Sequence, residues 1–415
     1  MLNITLPKFQ SKFNSPIAAI PAVAEPTRLT RPLLITMATA CGLAIANLYY
    51  SQPLLVQIAH DLHITTHAVG ILPTLTQVGF AAGVFLLAPL GDVVERRRLI
   101  LTMLCLVSLA LLGAAVSPNL TILAVSSLII GVTSVISTLV LPFAISLARP
   151  EERGATVGSI AGAMLVGVLL SRTLSGAIGE WFGWRVMYGI ATVLMLGLAL
   201  VLQRQLPCSQ PTTQISYGAL LRSMFRLVKE EPLLREATAN GMLLYGSLSA
   251  FWTALVFLVE SPAYHYGSAV AGLFGLVGAA GALAAPMVGK MADKQSPRVL
   301  VGKATIVMLV SFAVLWAFGT HLWGLIVGII GLDVAAQAAT VSNQATVYSL
   351  APEAHSRLYT VYRALYSLGG SVGAYLGVYA WSVGGWSGVC FVGVAMLSIA
   401  LGIHHLSYRM GLGRD

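Results

Sequence analysis

"LILTMLCLVSLALLGAAVSPNLTILAVSSLIIGVTSVISTLVLPFAISLA" (residues 99–148) runs for fifty residues without one Asp, Glu, Lys or Arg. A helix needs about 20 mainly apolar residues to cross the hydrocarbon core of a bilayer. The stretch therefore fits two crossings, with Ser117-Pro118-Asn119 as the tight turn between them. A second such stretch lies between Arg363 and Arg409, forty-five residues long, with "SVGGWSG" (382–388) as its turn. The whole chain of 415 residues is 57% hydrophobic and only 9% charged, against about 25% charged in soluble domains. So few charges cannot cover the surface of a soluble protein of this length.

Extending the reading along the chain gives twelve spans, at about 33–58, 67–90, 99–117, 120–148, 155–179, 186–203, 236–259, 268–289, 299–318, 322–350, 358–381 and 387–408. They are expected to be helices. The lipid core offers no water to unpaired backbone groups, and the alternation of barrel strands is absent. The fold class expected is all-α integral membrane. Residues 1–31 read as a tail and not a signal peptide, because "IAAIPAVA" (17–24) is short, holds Pro21 and is followed by Glu25. Cys41, Cys105, Cys208 and Cys390 form no pair motif, so neither a disulfide framework nor a metal site is expected.

The net charge of +9 is a topology signal and not a nucleic-acid patch. With twelve spans, 21 of the 24 Lys and Arg fall on one side, Arg185 falls on the other, and Arg172 and Arg363 lie inside spans. The bias of Lys and Arg toward inner loops puts both termini and the central loop in the cytoplasm.

The chain also repeats itself. Asp92 and Asp293 follow the second and eighth spans, 201 residues apart, and Arg153 and Arg357 open the fifth and eleventh, 204 apart. Gly131 and Gly331 are 200 apart, and Gly-Trp recurs at 183–184 and 385–386. Four matches at nearly one offset predict two six-helix halves, 32–203 and 236–408, joined by a loop over 204–235, with a short tail at 409–415. Within the loop, "YGALLRSMFRLVKE" (217–230) is an amphipathic helix, expected on the inner membrane surface.

"APLGDVVERRR" (88–98) resembles the loop signature Gly-x-x-x-Asp-Arg-x-Gly-Arg-Arg of the major facilitator superfamily. Ala88, Val93 and Glu95 depart from it, while Asp92, Arg96 and Arg97 remain; the second copy, "GKMADKQSPR" (289–298), keeps Gly289, Asp293 and Lys294. In that family this loop helps lock the outward-facing state through contacts with the other half. "NLYYSQPLL" (47–55), "LLSRTLSG" (169–176) and "LDVAAQAATVSNQ" (332–344) are similar to a bacterial subgroup of arabinose-type or drug efflux permeases. The resemblance implies a multi-pass protein of the bacterial inner membrane that moves a small molecule by alternating access, without a bound cofactor.

An ionisable residue within a span is a functional-site hypothesis by default. Asp333, the sole Asp, Glu, Lys or Arg from Ala304 to Leu350, lies eleven residues into the tenth span, about 16 Å deep at 1.5 Å per residue. Arg172 lies at similar depth in the fifth, and Arg363 lies six residues into the eleventh, within snorkelling reach of the cytoplasm. At 100° per residue Gln337, Thr340 and Gln344 share the face of Asp333. The resemblance implies that spans 1, 4, 7 and 10 line the cavity. The expected lining therefore includes Asn47, Tyr50 and Ser51 from span 1, and Tyr245, Ser249 and Trp252 from span 7.

Burial disfavours the charged form of a carboxylate and a nearby cation favours it, so an acid alternating between such environments can carry a proton. Asp333 is read either as that coupling group, with Arg172 and Arg363 as further candidates, or as a structural partner of one of these arginines. The reading is secondary efflux of a small drug-like or sugar-like organic solute in exchange for protons, by a monomer. Uptake or facilitated diffusion on the same fold is the alternative, and a membrane sensor a more distant one. Enzymatic chemistry and ATP-driven transport have no motif here: no GxSxG, no Walker loop, and no acid at ligand spacing from His321 or from His404 and His405.

Overall fold

The computed structural model describes residues 29–209, 215–279, 296–350 and 354–409. Among these residues the chain is helix and connection, with no strand. Nine described helical segments are long and apolar enough to cross a membrane.

The first six expected spans correspond to α1 (Arg31–Ala46) with α2 (Leu55–Asp61), to α3 (Thr66–Val69) with α4 (Ile71–Val93), to α5 (Arg96–Ala115), to α6 (Leu120–Thr133) with α7 (Ile136–Leu147), to α8 (Arg153–Phe182), and to α9 (Trp184–Gln205). After α10 (Tyr217–Glu230) come α11 (Pro232–Val259), α12 (Ser268–Val277), α13 (Pro297–Phe318), α14 (Leu322–Leu350) and the long α15 (His355–Arg409). The expected eighth span continues past α12 into residues outside those described. The expected eleventh and twelfth form the single run α15, which breaks at Gly385, where φ is +56°.

Gly183 has φ of +88°, and its repeat-mate is Gly385. Both conformations belong to the region that a Cβ makes costly. The tryptophan after each glycine is fixed by its indole N–H: Trp184 donates to Asp61 Oδ2 at 3.1 Å and Trp386 to the Leu315 carbonyl at 2.7 Å. The repeated Gly-Trp is thus a turn device, with the glycine reversing the chain and the indole tying the next helix to a neighbour.

The first span is not one straight helix. Pro53 has no N–H to give, and around it the backbone tightens into i−3 bonds, Leu48 to Ile45, Tyr49 to Ala46, Gln52 to Tyr49 and Leu54 to Ser51. A tightened segment turns about 120° per residue instead of 100°, so the faces expected over 47–52 shift.

Taking α1–α9 as one set of helices and α11–α15 as the other, packing within each set is close. On α11 and α15, a Cβ built at Gly373 would overlap the backbone of Gly246, and one at Gly369 the backbone of Met242. Small residues that let backbones touch are the main source of helix association in lipid. Between the two sets, α4 meets α15 and α8 meets α12. The α8–α12 meeting and the Gly70–Val378 part of the α4–α15 meeting lie at the end opposite Arg96–Arg98, here the far end; the end bearing those arginines is the basic end. At the far end Gly70 abuts Val378, and the His67 ring stands edge-on to Tyr375 and Tyr379, centroids 5.9 and 5.7 Å away. Ser268 donates to the Gly176 carbonyl at 3.1 Å, and Ala269 N–H, at the start of α12, donates to Glu180 Oε2 at 2.7 Å.

The helix over 217–230 forms as expected, but protein covers much of its apolar face. Leu220 and Met224 are buried, and Met224 clusters with Leu234, Val347 and Leu358 of α11, α14 and α15. On the other side the Tyr217 hydroxyl donates to the Leu86 carbonyl at 2.8 Å, and Phe225 packs edge-on to Phe85 of α4, centroids 5.3 Å apart. The groove between the two sets at the basic end competes with lipid for this face. Phe225, 61% exposed, remains open to the surroundings.

Candidate functional site

Two polar chains meet where the sets of helices face each other. The first begins at Arg172 on α8, only 8% exposed. Its Nε donates to Gln52 Oε1 at 2.8 Å, and its guanidinium lies between the Tyr49 ring, 4.8 Å away, and the Trp252 ring, 4.2 Å away. Trp252, on α11, donates its indole N–H to Asp333 Oδ1 of α14 at 3.2 Å. Among the described residues Arg172 and Asp333 make no direct ion pair; the indole stands between them. Asp333 Oδ2 is buried with no partner among the described residues, and a Cβ at Gly278 would stand 2.7 Å from it. A carboxylate with one satisfied and one unsatisfied oxygen is costly in a buried setting.

The second chain is aromatic. Tyr245 of α11 stacks on Tyr366 of α15, centroids 4.3 Å apart. Its hydroxyl lies 3.1 Å from the Tyr49 hydroxyl and accepts from Gln77 Nε2 at 2.9 Å. The Tyr366 hydroxyl reaches Thr340 Oγ1 at 3.3 Å, while Thr340 also donates to the Ala336 carbonyl of its own helix. Arg363 lies over the other edge of this platform, 5.3 Å from the Tyr366 ring and 5.5 Å from that of Phe80 on α4.

The structure therefore gathers Asp333, Arg172, Arg363, Trp252, Tyr245 and Thr340 around the seam. Gln337 and Gln344 are half-buried on the same helix as Asp333, and Ser249 is buried on α11. Asn47 is buried with neither side-chain polar atom partnered among the described residues, and Ser51 is buried. Tyr50 is buried in the same large apolar cluster as Trp252. From this stretch Tyr49 and Gln52 are the residues that touch Arg172, because the tightened backbone rotates them to the seam. Gln77, Phe80 and Tyr366 are the other seam residues that sequence reading missed; none is charged or lies in a motif.

At the basic end Asp92 pairs with Arg96 at 2.8 Å within its own loop. The Arg96 N–H donates to Ser209 Oγ, and Arg97 reaches the Gln203 carbonyl and Cys208 Sγ. The first loop thus contacts the segment after α9. Gly289, Asp293 and Lys294 lie outside the described residues.

One further buried cluster was unexpected. Glu236 of α11 bonds Arg298 of α13 at 2.6 Å and lies 3.4 Å from His404 Nδ1 of α15. His404 thus has an acid beside it after all, contributed by a residue 168 positions earlier. Among the described residues no His, Cys, Asp and Glu group could hold a metal.

Outside the spans, a cavity of about 490 Å³ at the far end is lined by His60, Asp61, Trp184, Arg185 and Glu260, among others. The Arg185 guanidinium bonded to Asp61 holds that carboxyl below its usual range. Burial, and next the nearby Glu180 carboxylate, pushes Glu260 up to about 7.

A sequence model of the Major Facilitator Superfamily matches residues 34–374. The uncharacterized transporter YgaY of Escherichia coli is 38% identical over 373 residues, 90% of this chain and 95% of that protein. The "Probable transporter SCO4007" of Streptomyces coelicolor is 34% identical over 371 residues, 89% of this chain and 85% of its own length. Among solved structures, a bacterial homologue of the human lysosomal transporter Spinster, inward-facing and unoccupied, superposes with a TM-score of 0.70 at 15% identity, covering 91% of this chain and 96% of that one. A POT family transporter in complex with 5-aminolevulinic acid gives 0.74 at 13% identity, covering 90% and 94%.

Proposed function

This chain belongs to the Major Facilitator Superfamily, and on that premise we propose that it is a proton-coupled secondary transporter exporting a small organic solute. It is a multi-pass membrane transporter. The proposal adds twelve spans in two six-helix halves, cytoplasmic termini, a place in the bacterial inner membrane, and function as a monomer. The basic end is then cytoplasmic. The contacts between α8 and α12 and between α4 and α15 support a state closed at the far end.

The observation that carries the coupling reading is the chain Arg172–Trp252–Asp333. It runs from α8 in one half to α11 and α14 in the other. Any rocking of one half against the other alters how Trp252 sits between the cation and the carboxylate. With the indole N–H and Arg172 near, the charged form of Asp333 is favoured. With them withdrawn and water excluded, the protonated form is. A carboxylate whose proton affinity follows the conformation is what exchange requires. Arg172 positions Trp252 and Gln52 in this reading, while Tyr49, Tyr245, Gln337, Thr340 and Gln344 line the solute's path. Asp92 with Arg96 and Arg97 acts as a latch at the basic end.

The test is efflux of a dye and a panel of toxic solutes from cells expressing wild type or Asp333→Asn, with and without a protonophore. Efflux that collapses with the protonophore and is lost in the folded mutant is the expected result. Export by the mutant with unchanged pH dependence leaves Asp333 as a structural partner only. Accumulation inside cells instead of export favours an uptake carrier.

A further inference from the structure

The seam holds two arginines and one acid. Arg172 and Asp333 serve each other through Trp252, which leaves the charge of Arg363 unbalanced. Among the described residues no carboxylate lies within ion-pair distance of Arg363. Its guanidinium is faced by two rings, Phe80 at 5.5 Å and Tyr366 at 5.3 Å. None of its nitrogens is among the fully enclosed, unpartnered polar atoms, and the residue is half-buried. The guanidinium nitrogens are therefore not wholly enclosed. It does not snorkel away from the seam: the guanidinium lies over Phe80 of the other half, and the adjacent Ala364 belongs to a buried cluster with Ile45, Tyr49 and Phe80. An ionised group retained at this depth without a counter-charge is costly to the fold, and such residues mark solute pathways.

The surroundings say what would satisfy it. Ring faces attract the cation but leave its N–H donors without acceptors. A planar guanidinium offers paired donors that match a carboxylate or a similar compact anion. Next to it the stacked Tyr245 and Tyr366 rings offer a flat apolar wall, and the Thr340 and Tyr49 hydroxyls offer polar edges.

We propose that the solute is a small organic anion, held by its acidic group on Arg363 with its body against the Tyr245–Tyr366 wall. This rests on the transporter reading and narrows its substrate class. Arrival of the anion neutralises Arg363 in both orientations of the carrier, so the loaded protein exposes one less bare charge while it rocks.

The test reads the charge of the site directly. The purified full chain, with exposed Cys105 and Cys208 replaced by serine, receives a single new cysteine as Thr340→Cys or Gln337→Cys. It is labelled with an anionic (sulfonatoethyl) or a cationic (trimethylammonioethyl) methanethiosulfonate, each rate normalised to that with a free thiol. One unbalanced positive charge beside the site favours the anionic reagent by about tenfold. Arg363→Gln abolishes the preference and Arg363→Lys keeps it; either variant counts only if it elutes as a monodisperse protein. Benzoate is then expected to slow labelling more than benzamide or benzylammonium does. A cation-preferring or neutral wild type, no labelling at either position, or benzoate protection no greater than that of its neutral and cationic analogues overturns the proposal. Labelling needs no transport, so its failure leaves the transporter reading standing. Labelling as expected in a protein that moves no solute across vesicles would sink that reading and leave the anion site.

Discussion

Trp252 is the side chain whose loss separates packing from polarity at the seam. Trp252→Phe keeps a ring for Arg172 but removes the donor to Asp333 Oδ1. A buried carboxylate oxygen stripped of its partner costs about 1–3 kcal/mol. The variant should melt at lower temperature, and Asp333→Asn in the same background should restore part of the loss, because the amide does not carry the unmet charge. Glu260 gives a second measurement at this scale. Its pKa, ordinarily 4.5, stands at about 7 in the folded structure, which therefore favours the protonated form. The folded molecule is accordingly most comfortable below the ordinary value and loses stability as pH rises from about 4.5 toward 7. Partial exposure screens the effect to about 1 kcal/mol. Thermal melts from pH 5 to 8 should show that decline in wild type and a flatter profile in Glu260→Gln; equal slopes would remove Glu260 from the account. Asp61 runs the other way: its lowered pKa gives a small stabilisation that is lost only as pH falls through that value. Asp333 was legible as a lone acid in an apolar run, and Arg172 as a base inside a span. Tyr49 and Gln52 were not, because a helical wheel assumes 100° per residue and Pro53 tightens the turn. Nor was the pairing of Glu236 with His404, which depends on tertiary contact alone.

At the scale of the element, the glycines divide by what stands opposite them. Gly373 faces the Gly246 backbone, whereas nothing lies within 4 Å of a Cβ at Gly384. Gly373→Ala must push α11 from α15 and should cost about 1–3 kcal/mol, the usual penalty of overpacking, read as a fall in melting temperature or yield. Gly384→Ala should be neutral. Gly385→Ala, with equal space but positive φ, should cost about 1 kcal/mol through the backbone alone. The paired Gly-Trp turns and the amphipathic 217–230 helix could be read from sequence, since each follows from local chemistry. What covers α10 could not, because lipid and a protein groove demand the same apolar stripe.

Across the whole molecule the contacts between the two sets of helices run from the seam to the far end, where α8 meets α12 and Gly70 of the first set abuts Val378 of α15. A cysteine pair His67→Cys with Tyr375→Cys, in the background without Cys105 and Cys208, should cross-link readily with a short bifunctional reagent and arrest solute movement until the link is cleaved. If the cross-linked protein still transports, the far end need not open. Against the twelve spans read in the sequence, nine described helical segments are long and apolar enough to cross; the all-helical membrane architecture was visible in the charge-free stretches. Which ends meet was not, since a carrier's sequence encodes every state it visits. The cavity at the far end has one more implication. Its walls come from the N-terminal helices, through His60, Asp61, Trp184 and Arg185, and from the C-terminal ones through Glu260. An antibody fragment seated there would recognise neither half alone, only their present juxtaposition. If the halves rock as proposed, such an epitope belongs to one conformation only, and a binder selected against it would be a conformational stain.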